Sequence, residues 1–236
     1  MLIKKQNEAL SENQRKLRVK KCRALRSRFA ENDCQRILFS DEKIFTVEQQ
    51  LNAQNDRVYA NNITQVPDKV RTVYKSQHPE YVMVWAGVSG QGKTKLFFVE
   101  PGAKIDAKYY LEKILKGPVK NCSQTIFQNQ SWTFQQDSAP AHKARISVDF
   151  CRENLPDFIS PQEWPAASPD LNPMDYSMWG ILEGQIGNKK YASVAQLRAA
   201  LIREWDNISL ETLRKICGSW RNRLKLCINS KGNRFE

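Results

Sequence analysis

The sequence predicts an α/β fold in which a mixed sheet is flanked by helices, and three observations carry that prediction. Short β-branched and aromatic runs occupy the first half, a two-glycine turn joins two of them, and past residue 100 strand-like and helix-like segments alternate. With 236 residues and 41% apolar side chains, one main domain can bury an ordinary core without disulfide or metal staples.

The elements follow in order. Residues 15–28 hold eight basic side chains and no acidic one, while Leu17, Cys22, Leu25 and Phe29 recur three to five residues apart behind a Ser11/Gln14 capping box. A basic amphipathic helix is expected there, within a basic helical linker region over 1–35. RILF at 36–39 and IFTV at 44–47 surround Ser40-Asp41-Glu42-Lys43, as one strand with acids in its middle or a bent pair. Polar residues 48–80, rich in Asn and Gln, form a long loop insertion after this first strand. YVMVWAGV at 81–88 and TKLFFVE at 94–100 should pair as an antiparallel hairpin through SGQGK. Asp106 can cap a helix running to about residue 116, with Tyr110, Leu111, Ile114 and Leu115 buried and Gly117-Pro118 as its stop. A strand at 132–136, a helix at 141–154 and a short strand at 157–160 lead into the loop PQEWPAASPDLNP. Helices are then expected over 174–186, after a Ser193/Gln196 box, and over 210–227. Trp85, Trp132 and Trp179 lie in apolar patterns and are assigned to the core.

Composition narrows the partners. Against 25 acidic residues stand 37 basic ones, a formal charge of +12 that favours a polyanion, nucleic acid ahead of acidic lipid. No stretch has the eighteen uninterrupted apolar residues of a membrane span, and MLIKKQNEAL is too polar for a secretory signal, so an intracellular protein with no membrane partner is expected. Six cysteines without a C-x-x-C pair, beside only two histidines, disfavour a zinc site.

Three aspartates stand where strands end or a helix begins: Asp41 on the first strand, Asp137 after WTFQQ, and Asp175 in the first turn after the proline-rich loop. Singly, such residues are ordinary caps and turn formers. Brought together they repel unless a cation holds them, and hard carboxylate oxygens select Mg²⁺ or Mn²⁺. Two such ions about 3.5–4 Å apart would serve in-line displacement at phosphorus.

The words around these acids carry a resemblance. FSDEK at 39–43, VWAG at 84–87, QDSAPAH at 136–142 and WPAASPDLNPMD at 164–175 resemble, in order, the signature blocks of mariner-superfamily transposases, and the likeness runs from about residue 10 to about 225. The resemblance implies a ribonuclease-H-like fold over 36–236, with catalytic and metal-binding roles for Asp41, Asp137 and Asp175, while Asp170 would be a loop residue. It implies two divalent ions, Mg²⁺ or Mn²⁺, and DNA cleavage at transposon ends followed by strand transfer into target DNA. The partners would be end and target DNA and, at full length, a second copy of the chain; the location would be the nucleus. A domesticated or inactive DNA-binding module is the alternative reading. Between Asp137 and Asp175 lie 37 residues, resembling the all-aspartate branch with a lengthened second interval. The insertion at about 48–80 corresponds to a clamp-like loop in the relatives. Their N-terminal helix-turn-helix region is expected to be missing from this chain. For DNA contact the candidates are Arg15, Lys16, Lys20, Lys21 and Arg23 on the basic helix, Arg57 and Arg71 in the insertion, and His142, which could orient a phosphate or cap the following helix.

Overall fold

A computed structural model of the chain describes residues 10–48, 60–67, 79–187 and 189–235. Arg57 and Arg71 lie outside these residues, as does most of the long insertion. Helix α1, Glu12–Arg28, starts on the expected capping box, with the Gln14 amide donating to Ser11 Oγ at 3.2 Å and the Ser11 amide to Gln14 Oε1 at 2.8 Å. Its buried stripe differs from the one predicted. Arg18, Cys22 and Leu25 face inward with Phe29 beyond them, whereas Leu17 is 49% exposed. Residues 18, 22, 25 and 29 keep helical phase and residue 17 does not, and Arg18 has a buried carboxylate to meet.

Strand β1, Ile37–Thr46, is continuous through its acids, which settles the single-strand alternative. It pairs antiparallel with β2, Tyr81–Ser89, from Phe39↔Val88 to Thr46↔Tyr81. The returning arm of the expected hairpin divides into β3, Gly92–Lys93, and β4, Phe97–Phe98. Lys93 sits opposite Val88 but Phe97 opposite Trp85, so the arm carries one residue more than β2 across this interval, a bulge that interrupts the ladder. Within it the Thr94 carbonyl accepts the Trp205 indole N–H at 2.7 Å.

Asp106 caps α2, Ala107–Tyr109, through its Oδ1 and the Tyr109 amide. The chain does not stop at Gly117-Pro118. It passes through a π-helical stretch, Tyr110–Val119, into α3, Lys120–Thr125, and the Lys120 amide donates to Leu115, five residues back. Wide turns accommodate the proline ring, and burying Tyr110, Ile114, Leu115, Val119 and Cys122 along one face outweighs the local stop signal.

Strand β5, Thr133–Gln135, lies parallel to β1, giving the sheet order β3-β2-β1-β5 with β4 also on β2. The strand expected at 157–160 reduces to one parallel bridge, Phe134↔Phe158. The helix expected at 141–154 is two, α4, Pro140–Lys143, and α5, Arg145–Asn154, parted at Ala144 where ψ is 140°. A π-helical turn, Met174–Met178, opens α6, Trp179–Ile186, and α7, Val194–Asp206, starts on the Ser193 cap. The last predicted helix is divided at Ser219 into α8, Leu210–Gly218, and α9, Trp220–Asn229. That break turns Trp220 inward against Phe29 and Phe39, at centroid distances of 5.8 and 5.3 Å.

Strand alternation sorts the core onto two faces. Phe39, Phe45, Val84 and Ala86 pack with α1 and the C-terminal helices, whereas Leu38 and Trp85 pack with the long helix, Trp132 and Phe134. Trp85, Trp132 and Trp179 are fully buried, as their apolar surroundings in the sequence predicted. No helix among the described residues is long and apolar enough to cross a membrane. Trp220→Ala, which empties a site joining α1, β1 and α9, should cost about 3–5 kcal/mol in urea unfolding; a loss below 1 kcal/mol would contradict this packing.

Candidate active site

The sheet delivers two of the acids. Parallel pairing of Phe39 with Gln135, continued by two residues, sets Asp41 beside Asp137, and Ser40 Oγ ties the strands by donating to the Gln135 carbonyl at 3.0 Å. Asp175 arrives from the other side of the chain. Asn172 Nδ2 donates to the Ser40 carbonyl at 3.1 Å while its Oδ1 accepts the Met174 amide at 3.1 Å, which docks the π-helical turn onto β1. Asp41, Asp137 and Asp175 thereby line one open cleft of about 370 Å³, together with Ser138, Ala139, Lys143, Trp164, Ala166, Ala167, Ser168, Pro169 and Asn172.

The carboxylates differ in state. Burial, then the nearby Asp175 and Glu42 carboxylates, push the Asp41 carboxyl up to about 8. Its Oδ2 accepts the Trp179 indole N–H at 2.8 Å. Burial and the charge of Asp137 raise Asp175 to about 6, and a hydrogen bond joins it to Asp41. One proton shared between Asp41 and Asp175 relieves their repulsion. At Asp137 burial is outweighed by His142, so this carboxyl is lowered. Its Oδ1 accepts from His142 Nδ1 at 2.5 Å and from the Ala139 amide at 2.8 Å.

His142 itself is buried on the Tyr110 ring, centroids 4.1 Å apart, with Nε2 3.4 Å from Glu42 Oε1. Burial opposes its charge, but bonds to Asp137 and Glu42 overcome that and raise it to about 9. Both ring nitrogens are therefore engaged by carboxylates, which corrects the phosphate role considered for this residue. As placed, no three His, Cys, Asp or Glu side chains among the described residues form a ready cluster around one point. The donor set is nevertheless of the hard-oxygen type, and the Asp41–Asp175 pair holds a proton where a cation would serve the same electrostatic need.

The basic helix is less uniform than its composition suggests. Lys20 and Arg23 are exposed, and Lys16 is exposed in an i,i+4 pair with Glu12. Arg15 is half-buried and donates to Asn233 Oδ1 at 3.2 Å. Lys21 is not available to DNA as expected, because its ammonium is bound by the Pro161 and Trp164 carbonyls at 3.1 and 2.7 Å. Sequence reasoning placed Trp179 in the core without its polar edge, and it did not single out Glu42. The four-residue step from Asp175 to Trp179, one helical turn, was the signal for the first, since it stacks both side chains on one face. For Glu42 nothing local was available, because its partner comes from a different element.

The pH dependence has a definite sign. An acid whose folded pKa is raised keeps a proton that the unfolded chain releases, so stability is fullest below the unfolded value of 3.8 and is lost as pH rises through about 8 for Asp41. His142, raised from 6.5 to about 9, adds loss in the same direction. In a chelator, Asp41→Asn should therefore melt above the unsubstituted chain at pH 8.5 by a few degrees, at about 2–4 °C per kcal/mol, with the difference closing near pH 4. A melting difference that is flat across this range in differential scanning calorimetry would contradict the assignment.

No family model matches the chain. It is 29% identical over 219 residues to the Transposable element Tc3 transposase of Caenorhabditis elegans, covering 88% of this chain and 61% of that one. With the Tcb1 transposase of Caenorhabditis briggsae it shares 30% identity over 125 residues, covering 53% of this chain and 44% of that one. The chain thus spans about three fifths of the length of the Tc3 relative. Among solved structures, the Mos1 transposase paired-end complex with the left transposon end superposes at a TM-score of 0.86 with 20% identity, covering all of this chain and 67% of that one. The catalytic domain of the Mos1 mariner transposase superposes at 0.75 with 20% identity, covering 98% of this chain and 100% of that domain. The fold is that of the Mos1 catalytic domain, the ribonuclease-H-like mixed sheet that the resemblance implied. The chain is thus similar to these transposases along most of its sequence and to the mariner catalytic domain throughout its fold.

Proposed function

We propose that this chain is the catalytic domain of a cut-and-paste DNA transposase, which hydrolyses a strand at a transposon end and joins the freed 3′ hydroxyl to target DNA. The observation that carries the reading is the gathering of Asp41, Asp137 and Asp175 in one cleft of this fold. Solved Mos1 paired-end complexes with Mg and with Mn support the use of divalent cations. Asp41, Asp137 and Asp175 would hold the ions, which supply activation of the attacking oxygen and stabilisation of the leaving oxygen in an in-line displacement.

The chain's own residues prepare this. Trp179 fixes one Asp41 oxygen, and His142 with the Ala139 amide occupies Oδ1 of Asp137, which orients both carboxylates at the cleft. The Asp41–Asp175 proton is the one a cation would replace, so metal binding should release protons. Lys143 on the lining offers a positive charge to a phosphate. Lys16, Lys20 and Arg23, exposed on α1, suit backbone contact whose strength falls with salt. Transposon-end and target DNA and a second copy of the protein are the partners in this reading, and the nucleus, where such DNA resides, is the location.

Supercoiled plasmid should be nicked by the chain in Mn²⁺ and not in chelator. Asp41→Ala, Asp137→Ala and Asp175→Ala should each lower the nicking rate by about a hundredfold or more while leaving plasmid binding in place. Undiminished nicking by a folded Asp175→Ala chain would sink the assignment.

A further inference from the structure

One stretch of the cleft lining is continuous in sequence, with Trp164, Ala166, Ala167, Ser168 and Pro169 forming a wall. Its alanines present backbone and methyl groups, and Ala167 is held at a φ of 51°, a left-handed conformation that costs an L-residue about 1–2 kcal/mol. Strain of this kind persists only where the surroundings over-determine it.

Those surroundings are one face of α1. Arg18, 2% exposed, donates Nη1 and Nη2 to Asp170 at 3.1 and 2.6 Å, Nη1 also to Ser168 Oγ and to the Ala167 carbonyl at 3.5 Å, and Nε to the Gly232 carbonyl at 3.0 Å. One turn on, Lys21 binds the Pro161 and Trp164 carbonyls. At the end of the helix Arg28 reaches Asp157 and Glu163, both at 2.5 Å. Cations at 28, 21 and 18 thus hold the start, middle and end of the segment 157–170 that carries the cleft wall, while Lys16, Lys20 and Arg23 are exposed to solvent. A buried ion pair is seldom worth net stability, since desolvation offsets its attraction, so its return here is geometric.

We propose that Arg18 and Lys21 are positioning residues which fix the Ala166–Ser168 wall for a DNA strand entering the cleft, so that α1 and the wall move as one body. This rests on the catalytic reading above. The wall sets how the strand is received, whereas the carboxylates hold the metal, so the two roles separate in KM and kcat.

The test compares Arg18→Met/Asp170→Leu with Lys21→Met and Lys20→Met in the full chain, with folding verified by near-ultraviolet circular dichroism. The double substitution removes the tether at constant net charge and replaces a buried pair with apolar groups, an exchange that folds tolerate. It should raise KM for nicking and Kd for a short DNA duplex about tenfold or more. Mn²⁺ affinity by calorimetry, kcat and the salt dependence of duplex binding should stay as in the unsubstituted chain. Lys21→Met should show the same KM rise, and Lys20→Met should instead flatten the slope of log Kd against log salt by about 0.9. Unchanged KM and duplex Kd in a folded double variant would overturn the proposal, as would a parallel loss of Mn²⁺ affinity. Should the unsubstituted chain fail to nick DNA in Mn²⁺, the catalytic reading falls, and duplex Kd with its salt slope still decides the role of the wall.

Discussion

Three carboxylates crowded into one partly buried cleft repel one another, and much of this molecule is arranged around that repulsion. Each acid is relieved differently. Asp41 takes an indole N–H from Trp179, Asp175 shares a proton with Asp41, and Asp137 leans on a charged His142 that Glu42 holds from behind. The outcome is three acids held in one cleft by fixed partners, at some expense to stability. Perturbed carboxylates gathered in a cleft are the arrangement on which the proposed catalytic reading rests.

The sheet and the indoles make this tolerable. Parallel pairing of β1 with β5 fixes the spacing of two acids at the strand ends, and Asn172 bridges β1 to the turn that brings the third. Behind them Trp179 and Trp205 lie tilted against one another, and Trp220 fills the space between Phe29 and Phe39. Large buried rings leave few alternative packings, so the backbone under the acids has little freedom to spread in response to their repulsion.

Helix α1 serves two ends at once. Its outward cations stay in solvent, where a polyanion can collect them, while Arg18, Lys21 and Arg28 run inward to the proline-rich segment that shapes the cleft. Basic composition alone treats all of these residues alike. Burial separates them, because a cation drawn out of water must be met by fixed acceptors, and this loop offers Asp170, Ser168 and the Ala167 carbonyl to Arg18 and the Pro161 and Trp164 carbonyls to Lys21.

By itself the sequence determined the class of fold, the order of its elements and the identity of the three acids. Those signals are local or written in contiguous words: alternation for β1 and β2, the Ser11 and Asp106 caps, and the blocks around Asp41, Asp137 and Asp175. Where it misled, as at Pro118, at Ser219 and along the stripe of α1, a local rule met a larger tertiary gain: an apolar face continuing over the sheet, an indole turned into the core, an arginine drawn to Asp170. The tertiary structure alone decided which partner each acid has, that Glu42 supports His142, and that half of a basic helix is structural. Apart from the local pair of Asp137 with His142, these pairings join distant residues, as Trp179 joins Asp41, and no local preference encodes which side chains the folded sheet will bring within hydrogen-bonding reach.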